Sequence, residues 1–288
     1  MNEIRIPVGS WATAAVDWLT TNLSGLFRAV ARVLDWLFDL AEVAFTTPPA
    51  WVIVILLAGL ALLVKGWRLG LATVVGLALI LGMNQWDNAM ATVALVLVAS
   101  AIAVLLAVPL GIWAARSSTV SAVLRPVLDF MQTMPAFVYL LPAVILFRVG
   151  VVPGIVATII FAMAPGVRFT ELGIRQVDRE VVEAGHAFGA TPGRILRQVQ
   201  LPLALPTIMA GVNQLIMLSL SMVVIAGMVG APGLGQPVVQ ALQSVNIGLG
   251  VEAGLAVVIL AMYLDRVTAA LGDRAPVSRA LKVRAADD

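Results

Sequence analysis

EAGHAFGATPGRILRQVQLP, residues 183–202, is a charged segment punctuated by Gly and Pro that sits between two hydrophobic blocks, and between Arg197 and Glu252 the chain carries no charge at all. Water-exposed segments of that length nearly always carry charge, so the uncharged run places the chain in a membrane. The 183–202 segment then reads as a part that leaves the membrane on the cytoplasmic side and touches another protein.

Working outward, composition supports the same class. The chain is 61% hydrophobic and 12% charged, too few charges to clothe a soluble protein of 288 residues. A formal net charge of +2 argues against a nucleic-acid partner. There is no cysteine, which excludes a disulfide framework and a thiol nucleophile, and the single histidine, His186, leaves neither a His-based metal cluster nor a Ser-His-Asp triad. The start, MNEIRIPVGSW, lacks a basic stretch leading into an apolar core, so insertion is expected to rely on the spans themselves.

A bilayer core takes roughly 20 apolar residues as helix, fewer where neighbours compensate. Seven stretches are candidates: about 50–64, 69–85, 88–114, 135–150, 153–170, 205–230 and 249–267. The fourth and fifth carry Pro135, Pro142, Pro153 and Pro165, tolerable where protein or a water-filled path satisfies the freed carbonyls. A six-span version, with the first pair misjudged, is the alternative. With the 171–204 loop cytoplasmic, the inside holds Lys65, Arg68, Arg116, Arg125, Arg168, Arg175, Arg179, Arg194 and Arg197, and the five cations of the tail. Only Arg5, Arg28, Arg32 and Arg148 fall outside, so the N-terminus is expected out and the C-terminus in.

Residues 11–42 differ from the rest. Trp11, Trp18, Leu19, Leu23, Leu26, Val30, Val33, Leu37 and Leu40 recur at helical spacing, interrupted by Asp17, Arg28, Arg32, Asp35, Asp39 and Glu42. This predicts an amphipathic helix too charged to span, lying in the interface or bracing the bundle, or else serving regulation or a partner; Pro48-Pro49 ends it. The division that follows is an amphipathic N-terminal segment (1–49), two accessory transmembrane helices (50–85), a transmembrane core (86–270) holding the loop 171–204, and a cytoplasmic tail (271–288).

Inside the loop, VDREVVEAGHAF predicts an amphipathic helix with Val181, Val182, Ala184, Ala187 and Phe188 as its apolar side. Gly189 fits its C-terminal turn, and Thr191-Pro192 opens a second short helix that Leu201-Pro202 closes. The result is a helix–turn–helix knob; by composition alone it could also be a plain connector.

The spacing resembles the cytoplasmic loop of ABC importer permeases, written EAA, three residues, Gly, nine residues, Ile-x-Leu-Pro. Here Glu183-Ala184-Gly185 leads through Gly189 to Val199-Gln200-Leu201-Pro202, with Gly185 in place of the second Ala and Val199 in place of Ile. PLGIWAARS (109–117), MQTMPAFVYLLP (131–142), VPGIVATIIFAMAP (152–165) and LPLALPTIMAGVNQLIMLSLSMVVIAGMVG (201–230) are similar to the permease subunit of the glycine betaine/proline betaine/choline importers, of the type I ABC importer class, over about residues 86–270. The resemblance implies an all-α membrane protein with the type I importer transmembrane fold. It also implies a coupling helix docking on an ATP-hydrolysing subunit through Glu183, Ala184, Gly185 and Gly189, with Leu201 and Pro202 closing the motif. The partners implied are a second permease copy, two ATP-binding cassette subunits holding ATP and Mg, an extracytoplasmic solute-binding protein and membrane lipid, with the permease itself in a bacterial inner membrane. The solutes implied are osmoprotectants.

The residues agree that energy comes from elsewhere. The only lysines, Lys65 and Lys282, sit in KGW and KVR, so no phosphate-binding loop is present, and no carboxylate falls deep in a predicted span, with Asp87, Glu252 and Asp265 near span ends. The chain is therefore read as a non-catalytic subunit with no cofactor of its own. For the path, the sixth span offers Asn213, Gln214, Ser219 and Ser221 beside Gly211 and Gly227, which either line it or permit tight packing. The turn at Gly233 and Gly235 resembles an outward-facing loop near the family's translocation path; a flexible connector is the other reading. The aromatics Trp113, Phe137, Tyr139, Phe161 and Tyr263 are scattered and form no evident cage for a quaternary ammonium. Rival readings are an ABC permease for another small solute and an ATP-independent channel or carrier.

Overall fold

A computed structural model describes residues 7–273, and every regular element among them is helical. The amphipathic N-terminal stretch forms two helices, α1 (Val8–Asn22) and α2 (Ser24–Thr46), where sequence periodicity predicted one. The break falls at Leu23, before Ser24-Gly25, two poor helix formers, and the Asn22 side chain donates through Nδ2 to the Trp18 carbonyl at the end of the first helix. Helix α2 buries Leu34 and Phe38 in the main core, and Phe27 meets Phe147 edge to face at 5.5 Å between centroids. It braces the bundle.

Pro49 precedes α3 (Ala50–Lys65), bent by 99° from α2, and Gly66 at φ +94° turns the chain into α4 (Trp67–Gly82). Next come α5 (Trp86–Arg116), α6 (Ser118–Thr133), α7 (Ala136–Phe147) and α8 (Val151–Arg175). The knob is α9 (Arg179–Ala187) and α10 (Pro192–Ile195), followed by a π turn at Leu196–Gln200 and then α11 (Leu201–Gly227). Helices α12 (Gly235–Ser244) and α13 (Ile247–Asp273) complete the described chain.

The seven expected spans reduce, among the described residues, to four helices long and apolar enough to cross: Trp86–Arg116, Val151–Arg175, Pro192–Gly227 and Ile247–Gly272. Two more are added if the bent pairs α2–α3 and α6–α7 each count as one span. The predicted spans at 50–64, 69–85 and 135–150 fall on helices of 16, 16 and 12 residues. At 1.5 Å per residue these reach about 24 Å or less, short of a ~30 Å hydrocarbon core. In α6–α7 the bend of 97° falls at Pro135, and the Tyr139 hydroxyl donates to the Met131 carbonyl at 2.6 Å, fastening the elbow.

The core forms because small residues recur every fourth position. Ala99, Ala103, Ala107 and Gly111 of α5 are all buried, and that stripe admits α8 at close range. A Cβ on Gly111 would stand 2.5 Å from the Thr170 Cβ and 2.7 Å from the Val167 carbonyl oxygen. On the other side of α8, a Cβ on Gly211 of α11 would meet the Phe169 Cβ at 2.5 Å. Leu95, Val96, Ile155, Val167, Leu215 and Val223 fill the space between these helices.

Candidate functional site

The knob grows from α8, which continues to Arg175, beyond the boundary expected at 170. Asp178 caps α9, its Oδ1 accepting from the Glu180 amide at 2.9 Å. At the far end the Gly189 amide donates to the His186 carbonyl and the Ala190 amide to that of Gly185, with Gly189 at φ +76°. This pair of bonds is the Schellman ending, which needs a left-handed residue at the position Gly189 fills. Thr191 and Pro192 start α10 as predicted, although the Thr191 side chain makes no cap bond. Helix α9 leans on α10 where a Cβ on Gly185 would sit 3.3 Å from Ile195 Cγ1, and Ile195 and Leu196 are buried beneath.

One expectation fails. Leu201-Pro202 does not close the second helix, because the Leu201 amide reaches back to the Leu196 carbonyl through a π turn. The widened turn absorbs Pro202, which has no amide to donate, and the helix runs unbroken from Pro192 to Gly227.

Helix α9 buries none of its residues. Of its expected apolar side only Val182 is half-buried: Ala184 and Ala187 are exposed, as is Glu183 beside them, Val181 is 43% exposed and Phe188 is 92% exposed, at the turn before Gly189. The sequence assigns Phe188 to the apolar side of the helix, and its position beside the turn glycine is the signal of its exposure.

Behind the knob lies an ionic network that the sequence did not reveal. Glu171 is buried; its Oε1 accepts from the Ser121 hydroxyl at 2.7 Å and lies 2.9 Å from Arg175 Nε and 3.5 Å from Arg125 Nη2. Arg175 also donates to the Ala114 carbonyl at 2.9 Å, and Arg168 pairs with Asp129. Helices α5, α6 and α8 are thereby tied together at the end that carries the knob. Reading the fifth span as ending at 170 put Glu171 in a loop, which hid this carboxylate.

The six candidate path residues separate. Asn213 donates to Asp265 Oδ1 at 3.0 Å and accepts from the Thr268 hydroxyl, so its amide ties α11 to α13. Ser219 is fully buried and returns its hydroxyl to the Leu215 carbonyl. Gly233, at φ +121°, packs on Thr92: a Cβ would lie 2.6 Å from Thr92 Oγ1, the atom that accepts from the Leu234 amide at 2.8 Å. Gly235 lies so close to Gly227 and the Val223 carbonyl that no side chain fits. Only Gln214 and Ser221 face outward, seven residues apart with the exposed Ala210 and Met228 on one stripe of α11. Of the aromatics, Tyr139 fastens its elbow at 6.5 Å from Phe161, and Tyr263 donates to the Leu57 carbonyl at 3.2 Å, so both hydroxyls do structural jobs.

Comparison with known proteins places this geometry. The family described as "Binding-protein-dependent transport system inner membrane component" matches residues 107–275. The glycine betaine/proline betaine transport system permease protein ProW of Escherichia coli (strain K12) is 47% identical over 94% of this chain and 77% of its own length. The glycine betaine/carnitine transport permease protein GbuB of Listeria monocytogenes is 49% identical over 95% of this chain and 98% of its own. A solved structure of the MetNI methionine ABC transporter, inward facing, shares the fold at TM-score 0.59 and 24% identity, covering 68% of this chain and 95% of that one. The chain thus belongs to the family of binding-protein-dependent transport system inner membrane components.

Proposed function

We propose that this chain is the permease subunit of an ATP-driven importer of betaine-class compatible solutes, working as a pair of permeases with two ATP-binding cassette subunits and an extracytoplasmic binding protein. The observation that carries the solute class is the 47–49% identity, over more than nine-tenths of the chain, to permeases named for glycine betaine transport. ATP and Mg act on the cassette subunits, and this chain takes no part in hydrolysis. In this reading the knob faces the cytoplasm with the C-terminus, the helices before residue 86 are accessory, and the core 86–270 carries the solute. Gln214 and Ser221, the candidates on the open stripe of α11, would border the path where two copies meet; Asn213, Ser219, Gly233 and Gly235 would set the packing behind it.

The deciding experiment reconstitutes the permease with its cassette subunit in liposomes and supplies the binding protein from the neighbouring gene. ATP-dependent uptake of labelled glycine betaine, proline betaine or choline is expected. Accumulation of a sugar or an oxyanion instead would overturn the solute class and leave the family intact. Uphill accumulation by the permease alone would overturn the coupling scheme.

Within the knob, Gly189→Val is expected to lower uptake several-fold with membrane insertion intact. No atom lies within 4 Å of its Cβ position, so the penalty is one of backbone, about 1–2 kcal/mol or more for a β-branched residue at φ +76°. Gly189→Asn, which tolerates that conformation, should retain most uptake. Equal uptake by the two variants would remove the turn from the coupling account.

A further inference from the structure

Helices α4 and α13 border a groove of about 630 Å³. Leu71, Val75, Leu79 and Met262 along it are each at least 50% exposed, and Ile259 meets Gly76 at its floor. The two uncharged polar side chains that line it are already satisfied: Thr73 donates to the Leu69 carbonyl at 2.8 Å and Tyr263 to that of Leu57 at 3.2 Å. The walls therefore offer hydrocarbon contact and no free hydrogen-bonding group.

The mouth is different. From the contact of Gly76 with Ile259, α4 runs back about two turns to Arg68 and α13 runs forward about two turns to Arg266, and both arginines line the groove. The Tyr263 bond to Leu57 sets the later half of α13 beside α3, which leads to the Lys65-Gly66 turn. The Asn213–Asp265 bond and the approach of Met209 to Gly272 set the same end of α13 beside the knob half of α11. Both guanidinium groups thus stand at the knob end of the bundle.

Neither is strongly engaged. Arg68 stacks over the Trp67 ring at 5.8 Å from its centroid and forms no ion pair among the described residues. Arg266 is 3.8 Å from Asp265 Oδ2, a carboxylate whose other oxygen already accepts from Asn213. Two forked cations above an apolar slot complement an amphiphile with an anionic head, since a guanidinium binds a phosphate through paired N–H donors. The length agrees: Arg68 to Leu79 covers about 16 Å at 1.5 Å per residue, close to one leaflet of a ~30 Å core. A packed protein helix would use the walls and leave Arg68 without a counter-charge and Arg266 with only the shared Asp265 carboxylate.

We infer that this groove is a binding site for one anionic phospholipid of the leaflet on the knob side, acyl chain along α4 and α13 and phosphodiester between Arg68 and Arg266. This site is independent of which solute is carried.

The test uses the purified permease–cassette complex, delipidated and then incubated with an equimolar mixture of phosphatidylglycerol and phosphatidylcholine, with retained lipid counted by native mass spectrometry. Wild type should retain phosphatidylglycerol in preference, and Arg68→Gln with Arg266→Gln should reduce that preference about ten-fold or more. Both side chains are solvent-facing, so the neutral pair should assemble normally. Val75→Trp, which fills the slot and leaves the arginines in place, should lose the bound lipid as well, and it serves as the readout should the first variant fail to assemble. Preference that survives these changes overturns the site. Displacement of the lipid by inorganic phosphate alone would assign the arginines to a free anion, and a disulfide between two copies through Leu79→Cys would assign the groove to a subunit contact; either result overturns it.

Discussion

Phe188→Asp is expected to reduce ATP-driven uptake about thirty-fold or more, with the amount of chain in the membrane unchanged. Phe188 is 92% exposed at the C-terminal turn of a helix with no buried residue, so its removal leaves the fold of the permease within about 0.5 kcal/mol. Its contribution would come on docking. Burying a phenylalanine is worth about 1.5–3 kcal/mol, and aromatic anchors at the centre of an interface often reach 2 kcal/mol or more. A carboxylate in the same pocket would add desolvation without a partner. Phe188→Leu should keep most of the activity. Pull-down of the cassette subunit by the permease reads the effect directly; undiminished capture by the Asp variant would show that this side chain faces solvent in the complex.

Gly111→Val is expected to do the opposite, removing the protein and not merely its coupling. The new Cβ would meet Thr170 at 2.5 Å and the Val167 carbonyl at 2.7 Å, and a backbone oxygen inside α8 cannot step aside. Overpacking usually costs about 1–3 kcal/mol, and a clash with helix backbone belongs at or beyond the top of that range. Gly59→Val in α3 and Gly254→Val in α13 make the same chemical change where nothing lies within 4 Å, and they should accumulate normally. The yield of monodisperse detergent-extracted chain separates the three. Equal yields would mean that α5 and α8 are not seated as closely as the small-residue stripe requires.

Local backbone chemistry made much of this legible in advance. Gly189 and Thr191-Pro192 each announce a turn by what their own backbone can or cannot do, and both turns are where the sequence placed them. The absence of charge between Arg197 and Glu252 likewise identified α11 as membrane-embedded without knowledge of its neighbours. What stayed hidden depends on partners far along the chain. The sequence leaves Asn213 between lining a path and packing, and its bonds to Asp265 and Thr268 appear only in the fold, while Glu171 looks like a loop residue until Ser121 and Arg125 close on it. Pro202 reads as a helix end for a related reason: the bond from the Leu201 amide to the fifth residue back, Leu196, which carries the helix past it, is not visible in the sequence. The seven-span count failed on length, because apolar character does not say where a 16-residue helix stops short of a bilayer.

That unbroken stretch from Pro192 to Gly227 has a mechanical meaning. Thirty-six residues make a rod of about 54 Å at 1.5 Å per residue, and one tip of it belongs to the knob. A tilt of about ten degrees at that tip sweeps the opposite tip through roughly 9 Å, about one helix-to-helix spacing. The Gly227–Gly235 contact rides on that opposite tip, so a rotation made at the knob end produces its largest displacement there.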